Sequence, residues 1–260
     1  MDNLLAVPAD KRLKGMPYLE FLQLLASRLS PRSYLEIGTR AGASLAQVKC
    51  DAICVDPQFE FGSGLALGRK RTLLYQMTSD EFFANNDPRA VFPGGIDLAF
   101  LDGLHRFEYL LRDFIGTERC CHAGSIVLIH DCLPLNYRMA ERTMRRDDAE
   151  SPETWDAWTG DVWRLLPIVK KYRPDLRVLL LDCPPTGLVA LTNLDPTSDV
   201  LVRGYYRIVD EFSAEDLEQI GLDTVWSTYP LVDSRAVALE DRFTAMFPPF
   251  AWDHPHSMDP

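Results

Sequence analysis

Four side chains able to hold a metal or move a proton, Asp102, His105, His130 and Asp131, follow two apolar runs, residues 96–101 and 125–129. Both runs read as buried strands. As neighbours in a parallel sheet they would lie about 5 Å apart, so the four groups converge at one carboxyl edge, where open α/β sheets carry their sites. Two carboxylates and two imidazoles together offer acid–base chemistry near neutral pH and coordination of a divalent cation. Each has a plainer use: Asp102-Gly103 as a strand-end turn, His105 as a helix cap, His130-Asp131 as a loop anchor. Their joint placement favours a site.

A second chemical stretch lies upstream, Tyr34-Leu35-Glu36-Ile37-Gly38-Thr39-Arg40-Ala41-Gly42-Ala43-Ser44. It reads as a strand, a glycine turn and a helix over residues 43–48. Gly38 lets the backbone turn and approach a ligand, and the amides opening the helix would face polar or anionic groups of a nucleotide-like cofactor. The glycine spacing is not the G-x-G-x-x-G of dinucleotide binders, which weighs against a dehydrogenase. Asp56 stands twenty residues after Glu36, at the end of the next apolar run, residues 52–55. There a carboxylate accepts hydrogen bonds from both ribose hydroxyls, or closes a turn before Pro57.

Glu36-x-Gly38-x-x-x-Gly42-x-Ser44 resembles the first motif of class I S-adenosylmethionine-dependent methyltransferases. Phe100-Leu101-Asp102-Gly103-x-His105, followed after a helix by Gly124-Ser125-Ile126-Val127-x-Ile129-His130-Asp131, resembles the small-molecule branch that includes sugar O-methyltransferases of antibiotic biosynthesis. The resemblance spans roughly residues 31–193. It implies a doubly wound, Rossmann-like α/β fold with a seven-stranded sheet and an antiparallel last strand. It also implies S-adenosylmethionine held by Glu36, Gly38, Thr39, Gly42, Ser44, Asp56, Ser79 and Asp102, with Ser79 bordering the adenine or simply capping a helix. Family members hold a divalent cation with an acid after the fourth strand and an acidic pair after the fifth, which here gives Asp102, His130 and Asp131. His130 replaces a carboxylate, a change that shifts preference from Mg²⁺ toward Mn²⁺, Fe²⁺ or Zn²⁺.

The elements that must position these groups are legible in outline. Residues 16–29 form an amphipathic helix, residues 71–76 a third strand, and residues 81–85 a helix opened by Thr78-Ser79-Asp80. Phe107, Leu110, Leu111 and Phe114 mark a helix face after the fourth strand. Residues 161–172 are helical, and residues 176–181 and 187–192 form strands joined by Pro184-Pro185-Thr186-Gly187. The expected organisation is an N-terminal helical cover, residues 1–30; a cofactor domain, 31–193, with an insert at 132–160; and an extension, 194–260. The insert and tail would form the acceptor side: Tyr137, Trp155 and Trp158 stacking on rings, Arg138 or Arg142 holding an anionic group. His254 and His256 read as tail residues.

Net charge is −11 and the pI about 4.9, which disfavours nucleic acid and anionic membranes as partners. The six cysteines form no C-x-x-C pair and read as reduced thiols. No apolar run reaches transmembrane length, residues 1–15 lack a signal-peptide core, and a cytoplasmic protein is expected, with a homodimer open. The expected activity is metal-assisted methylation of a small-molecule hydroxyl, for instance on a sugar, with His105 as base and Asp102 beside it. The alternatives are a histidine–carboxylate iron oxygenase on the same fold and a non-catalytic cofactor-binding module.

Overall fold

The computed structural model describes residues 13–62, 68–144 and 157–250. Its centre is an eight-stranded sheet: β1 (Ser33–Ile37), β2 (Asp51–Val55), β3 (Thr72–Tyr75), β4 (Ile96–Leu101), β5 (Cys121–His130), β6 (Arg177–Leu181), β7 (Leu188–Thr192) and β8 (Leu231–Val232). The spatial order is β3-β2-β1-β4-β5-β7-β6-β8, and β7 runs antiparallel to both β5 and β6. Seven strands stand as the sequence implies, and the tail adds the short eighth, parallel to β6. Every residue of β1 and β4 is buried, because helices cover both faces of the sheet and leave no polar side for alternation.

Two cores flank the sheet. Leu35 and Ile37 of β1 point to one side, joined by Phe107, Leu111 and Phe114 of α4 (Phe107–Cys120). Tyr34 points to the other, against Phe21, Leu22 and Leu25 of α1 (Tyr18–Leu29). Glu36 shares the face of Tyr34, since side chains two apart on a strand lie on one side. Between them in sequence come α2 (Ser79–Asn85) and α3 (Pro88–Val91); α5 (Leu165–Tyr172) and α6 (Val200–Ser213) follow α4.

Two readings change. The helix expected over residues 43–48 is one 3₁₀ turn, Leu45–Gln47, after which Val48 is extended. The connection, residues 38–50, spends its first half on the glycine loop and leaves no length for an α-helix. A turn of this size supplies no helix dipole, so the amides facing a ligand belong to the loop itself. The strand read over residues 125–129 begins four residues earlier: residues 121–124 continue β5 past a register break opposite Ile96 and Leu98. Residues of the tail pack on both sides of the sheet: Phe243, Phe247 and Phe250 lie in the α1-side core, while Ile208 and Phe212 of α6 enter the other.

Candidate functional site

The glycine loop leaves β1 with Gly38 at φ +87°, and a Cβ there would overlap the carbonyl oxygen of Asp102. The loop therefore lies directly on the end of β4. Glu36 does not open to solvent: its carboxylate accepts from the Tyr34 hydroxyl at 2.5 Å and from Ser44 at 3.0 Å. Burial raises Glu36 to about 7, against those hydrogen bonds, which lower it. Thr39 is buried within the loop. Asp56 accepts from the backbone amides of Arg40 at 2.8 Å and Gln58 at 2.7 Å, so it braces the loop and forms a turn. The cap of α2 is Thr78, in a reciprocal box with Glu81, and the Ser79 side chain hydrogen-bonds to Asp113 of α4. Asp113 is buried, and burial pushes its carboxyl to about 7.

At the neighbouring edge β4 and β5 pair in parallel, as the argument from Asp102 and His130 requires. One ligand atom each of Asp102, His105 and Asp131 lies within 4.8 Å of the others. His105 Nε2 is 3.3 Å from Asp102 Oδ1 and 3.2 Å from Asp131 Oδ2. His130, expected among the metal ligands, stands outside that group; its Nδ1 is 3.3 Å from Asp131 Oδ2 and 3.6 Å from Asp102 Oδ2. Its ring packs on Tyr18 of α1, 4.0 Å between centroids, while Nδ1 stays at the edge of the carboxylates.

These charges act on one another. Burial would raise Asp102, but the charge of His130, together with the hydrogen bond and charge of His105, holds it well below the usual carboxylate range. Burial would lower both imidazoles, and the carboxylates outweigh it, taking His105 to about 9 and His130 to about 10. Without a cation the two histidines serve as counter-ions for the two acids. At neutral pH His105 is then protonated, and its use as a base requires another positive charge to take its place.

Several positioning residues have no signature in the sequence. Asp131 sits at φ +63°, a conformation Asp tolerates better than most residues, and Thr186 from the β6–β7 connection donates to its Oδ1. His105 Nδ1 is 2.7 Å from the carbonyl of Trp158, whose indole stacks on the imidazole at 4.9 Å. Gly160 packs where a Cβ would overlap the His105 carbonyl, so the end of the insert clamps this residue from behind. Among the residues that hold Asp131 and His105 in place, Trp158 alone is singled out in the sequence, as an acceptor-stacking candidate; the fold gives it to His105. Arg142 bridges Glu108 and Asp161, so it ties the insert to α4. Tyr137 is exposed. Trp155, His254 and His256 lie outside the described residues. A cavity of about 450 Å³, lined by Tyr137, Arg142, Trp163 and Glu215 among others, includes none of the cluster. All six cysteines are free, and no helix among the described residues is long and apolar enough to cross a membrane.

The family model described as a methyltransferase domain matches residues 35–132, a span that holds both the glycine loop and the acid–imidazole cluster. That span is therefore similar to a methyltransferase domain, and the sheet around it, mostly parallel with β7 antiparallel, has the doubly wound α/β class that the sequence implies. A search of curated proteins finds no match to the chain. Among solved structures, an O-methyltransferase of Streptomyces achromogenes involved in tomaymycin synthesis, in complex with S-adenosylmethionine, is 17% identical. That likeness covers 74% of this chain and 82% of the other, with a TM-score of 0.47. A methyltransferase of Podospora anserina with S-adenosylhomocysteine bound is 17% identical over 68% and 78%, TM-score 0.46. An O-methyltransferase from Bacillus cereus, also with S-adenosylhomocysteine, is 14% identical over 67% and 80%, TM-score 0.44. Likeness at that level adds nothing to the reading of individual residues.

Proposed function

We propose that this domain transfers a methyl group from S-adenosylmethionine to a hydroxyl of a small molecule, assisted by a divalent cation. The observation that carries the reading is the contact between loop and cluster: Gly38 lies against the Asp102 carbonyl, next to Asp131 and His105. A cofactor on the loop would present its sulfonium methyl beside the one group of three potential metal ligands found among the described residues.

In the transfer, the acceptor oxygen forms a bond to the methyl carbon as the carbon–sulfur bond breaks. Sulfur keeps the electron pair, S-adenosylhomocysteine leaves, and the hydroxyl proton passes to the cluster or to water. An alcohol is a weak nucleophile, so alignment and proton removal are the protein's main contributions. Asp102 and Asp131 fit a cation by donor type and spacing. Such an ion acidifies a bound hydroxyl and orients it. Vicinal hydroxyls of a sugar or glycosylated metabolite suit that geometry, because both can reach one ion. Asp56 would accept from the ribose hydroxyls with lone pairs that Arg40 and Gln58 leave free.

Isothermal titration with S-adenosylhomocysteine tests the cofactor site. Micromolar binding, weakened at least tenfold by Asp56→Ala, is expected. Transfer of labelled methyl from S-adenosylmethionine to a panel of sugars and phenols then identifies the acceptor. A protein that does not bind the cofactor product under any ionic condition is not a methyltransferase.

A further inference from the structure

We infer that His105 is a ligand of the divalent ion, and that the ion is a nitrogen-accepting first-row metal such as Zn²⁺, Fe²⁺ or Co²⁺ in preference to Mg²⁺. This deepens the metal-assisted reading above and rests on it.

The first ground is how His105 is held. Its Nδ1 is fixed at 2.7 Å from the Trp158 carbonyl, its ring is stacked on that indole, and Gly160 closes on its backbone. The carbonyl can only accept, so Nδ1 carries the proton and Nε2 faces the cluster. Metal-binding histidines are oriented in this way, one ring nitrogen donating to a carbonyl or carboxylate while the other meets the ion.

Spacing is the second ground. His105 Nε2 stands 3.3 Å from Asp102 Oδ1 and 3.2 Å from Asp131 Oδ2. Donors on a shared ion with bonds of ~2.1 Å sit about 3.0 Å apart at adjacent octahedral positions and about 3.4 Å apart at tetrahedral ones. Both separations from His105 fall between those values, and the two carboxylates stand within 4.8 Å of each other. A neutral imidazole and two carboxylates also leave a charge of two for the ion to cancel.

The third is His130. It is buried, and its Nδ1 has no hydrogen-bond partner although both carboxylates are near: the distances suit charge attraction, but the alignment does not. An orphaned buried nitrogen turned toward the same carboxylates adds a second imidazole at the edge of the site. Carboxylate and water suit Mg²⁺, whereas imidazole suits Zn²⁺ and Fe²⁺.

The alternative gives His105 to the acceptor as a base, and metal affinity separates the two. The metal-stripped chain is titrated with Co²⁺, Zn²⁺ and Mg²⁺, reading Co²⁺ by its visible absorption and all three by calorimetry, with S-adenosylhomocysteine binding measured in parallel. Expected are Co²⁺ and Zn²⁺ affinities at least 100-fold above that for Mg²⁺. His105→Gln should weaken Co²⁺ and Zn²⁺ at least tenfold while cofactor-product binding stays within twofold, which also shows that the variant folds. Full metal affinity in His105→Gln, with only turnover lost, overturns the proposal in favour of a base. Equal affinity of the unaltered chain for Mg²⁺ and Zn²⁺ overturns the ion class. If His105→Gln does not fold, pulsed electron paramagnetic resonance of the unaltered chain loaded with Mn²⁺ decides: a directly bound imidazole nitrogen supports the proposal, and its absence refutes it. Cofactor-product binding with no divalent ion bound under any condition ends the metal reading and leaves the methyltransferase intact.

Discussion

At the β1–β2 end of the sheet the acids are answered from within the fold. Glu36 receives Tyr34 and Ser44, and Asp56 receives two backbone amides. At the β4–β5 end, apart from Thr186, Asp102 and Asp131 face only imidazoles, one of them misaligned. The first region is finished without a ligand and offers a shaped backbone. The second is a set of charges whose balance depends on protons or on a cation. In the proposed reaction the cofactor half would be a matter of shape and the acceptor half a matter of charge, and the two regions touch at Gly38.

That contact allows the strongest test. Gly38→Ala places a Cβ against the Asp102 carbonyl at a φ that alanine resists. Loss of at least about 3 kcal/mol in urea unfolding is expected, with both cofactor-product and metal binding impaired. A variant of unchanged stability would mean that the halves are not packed together.

Asp131→Asn should separate them. Asparagine tolerates the φ of +63° and still accepts from Thr186, so the fold persists. Methyl transfer is expected to fall roughly 100-fold, about 2.7 kcal/mol, while cofactor-product affinity stays within twofold. A parallel loss of that affinity would break the division into shape and charge.

The smallest effect belongs to Glu36. Its folded pKa of about 7 lies above the ordinary 4.5, so the folded protein binds this proton more tightly than the unfolded chain does. Its contribution is fully favourable below pH 4.5 and is lost as pH rises to 7. Asp113 loses stability in an overlapping window. Denaturation of Glu36→Gln across pH 4–8 should therefore show a shallower fall than the unaltered chain, by on the order of 2 kcal/mol. Identical pH profiles would mean that Glu36 is not held in a dry environment.

Much of this could be read from the residues. The runs 52–55 and 96–101 are strands because helices cover both faces of the sheet, so short β-rich apolar runs need no polar alternation, and Asp102 and His130-Asp131 stand at the ends of their strands. The 3₁₀ turn after the glycine loop was not legible, since Ala43 to Val48 has ordinary helical composition and the length of the connection decides against it. Thr186, Tyr18 and Gly160 were equally hidden. Each reaches the site from an element remote in sequence, and no local pattern marks such a meeting.

By itself the sequence determined which groups stand at the strand ends, because that depends on local order: an apolar run, then a polar residue. Tertiary structure alone decided which groups face one another. It turned His130 toward Tyr18 and fastened His105 to Trp158, bringing the second imidazole to the two acids. The physical reason is that a side chain's direction depends on the twist of its strand and on what packs behind it, and both come from distant parts of the chain.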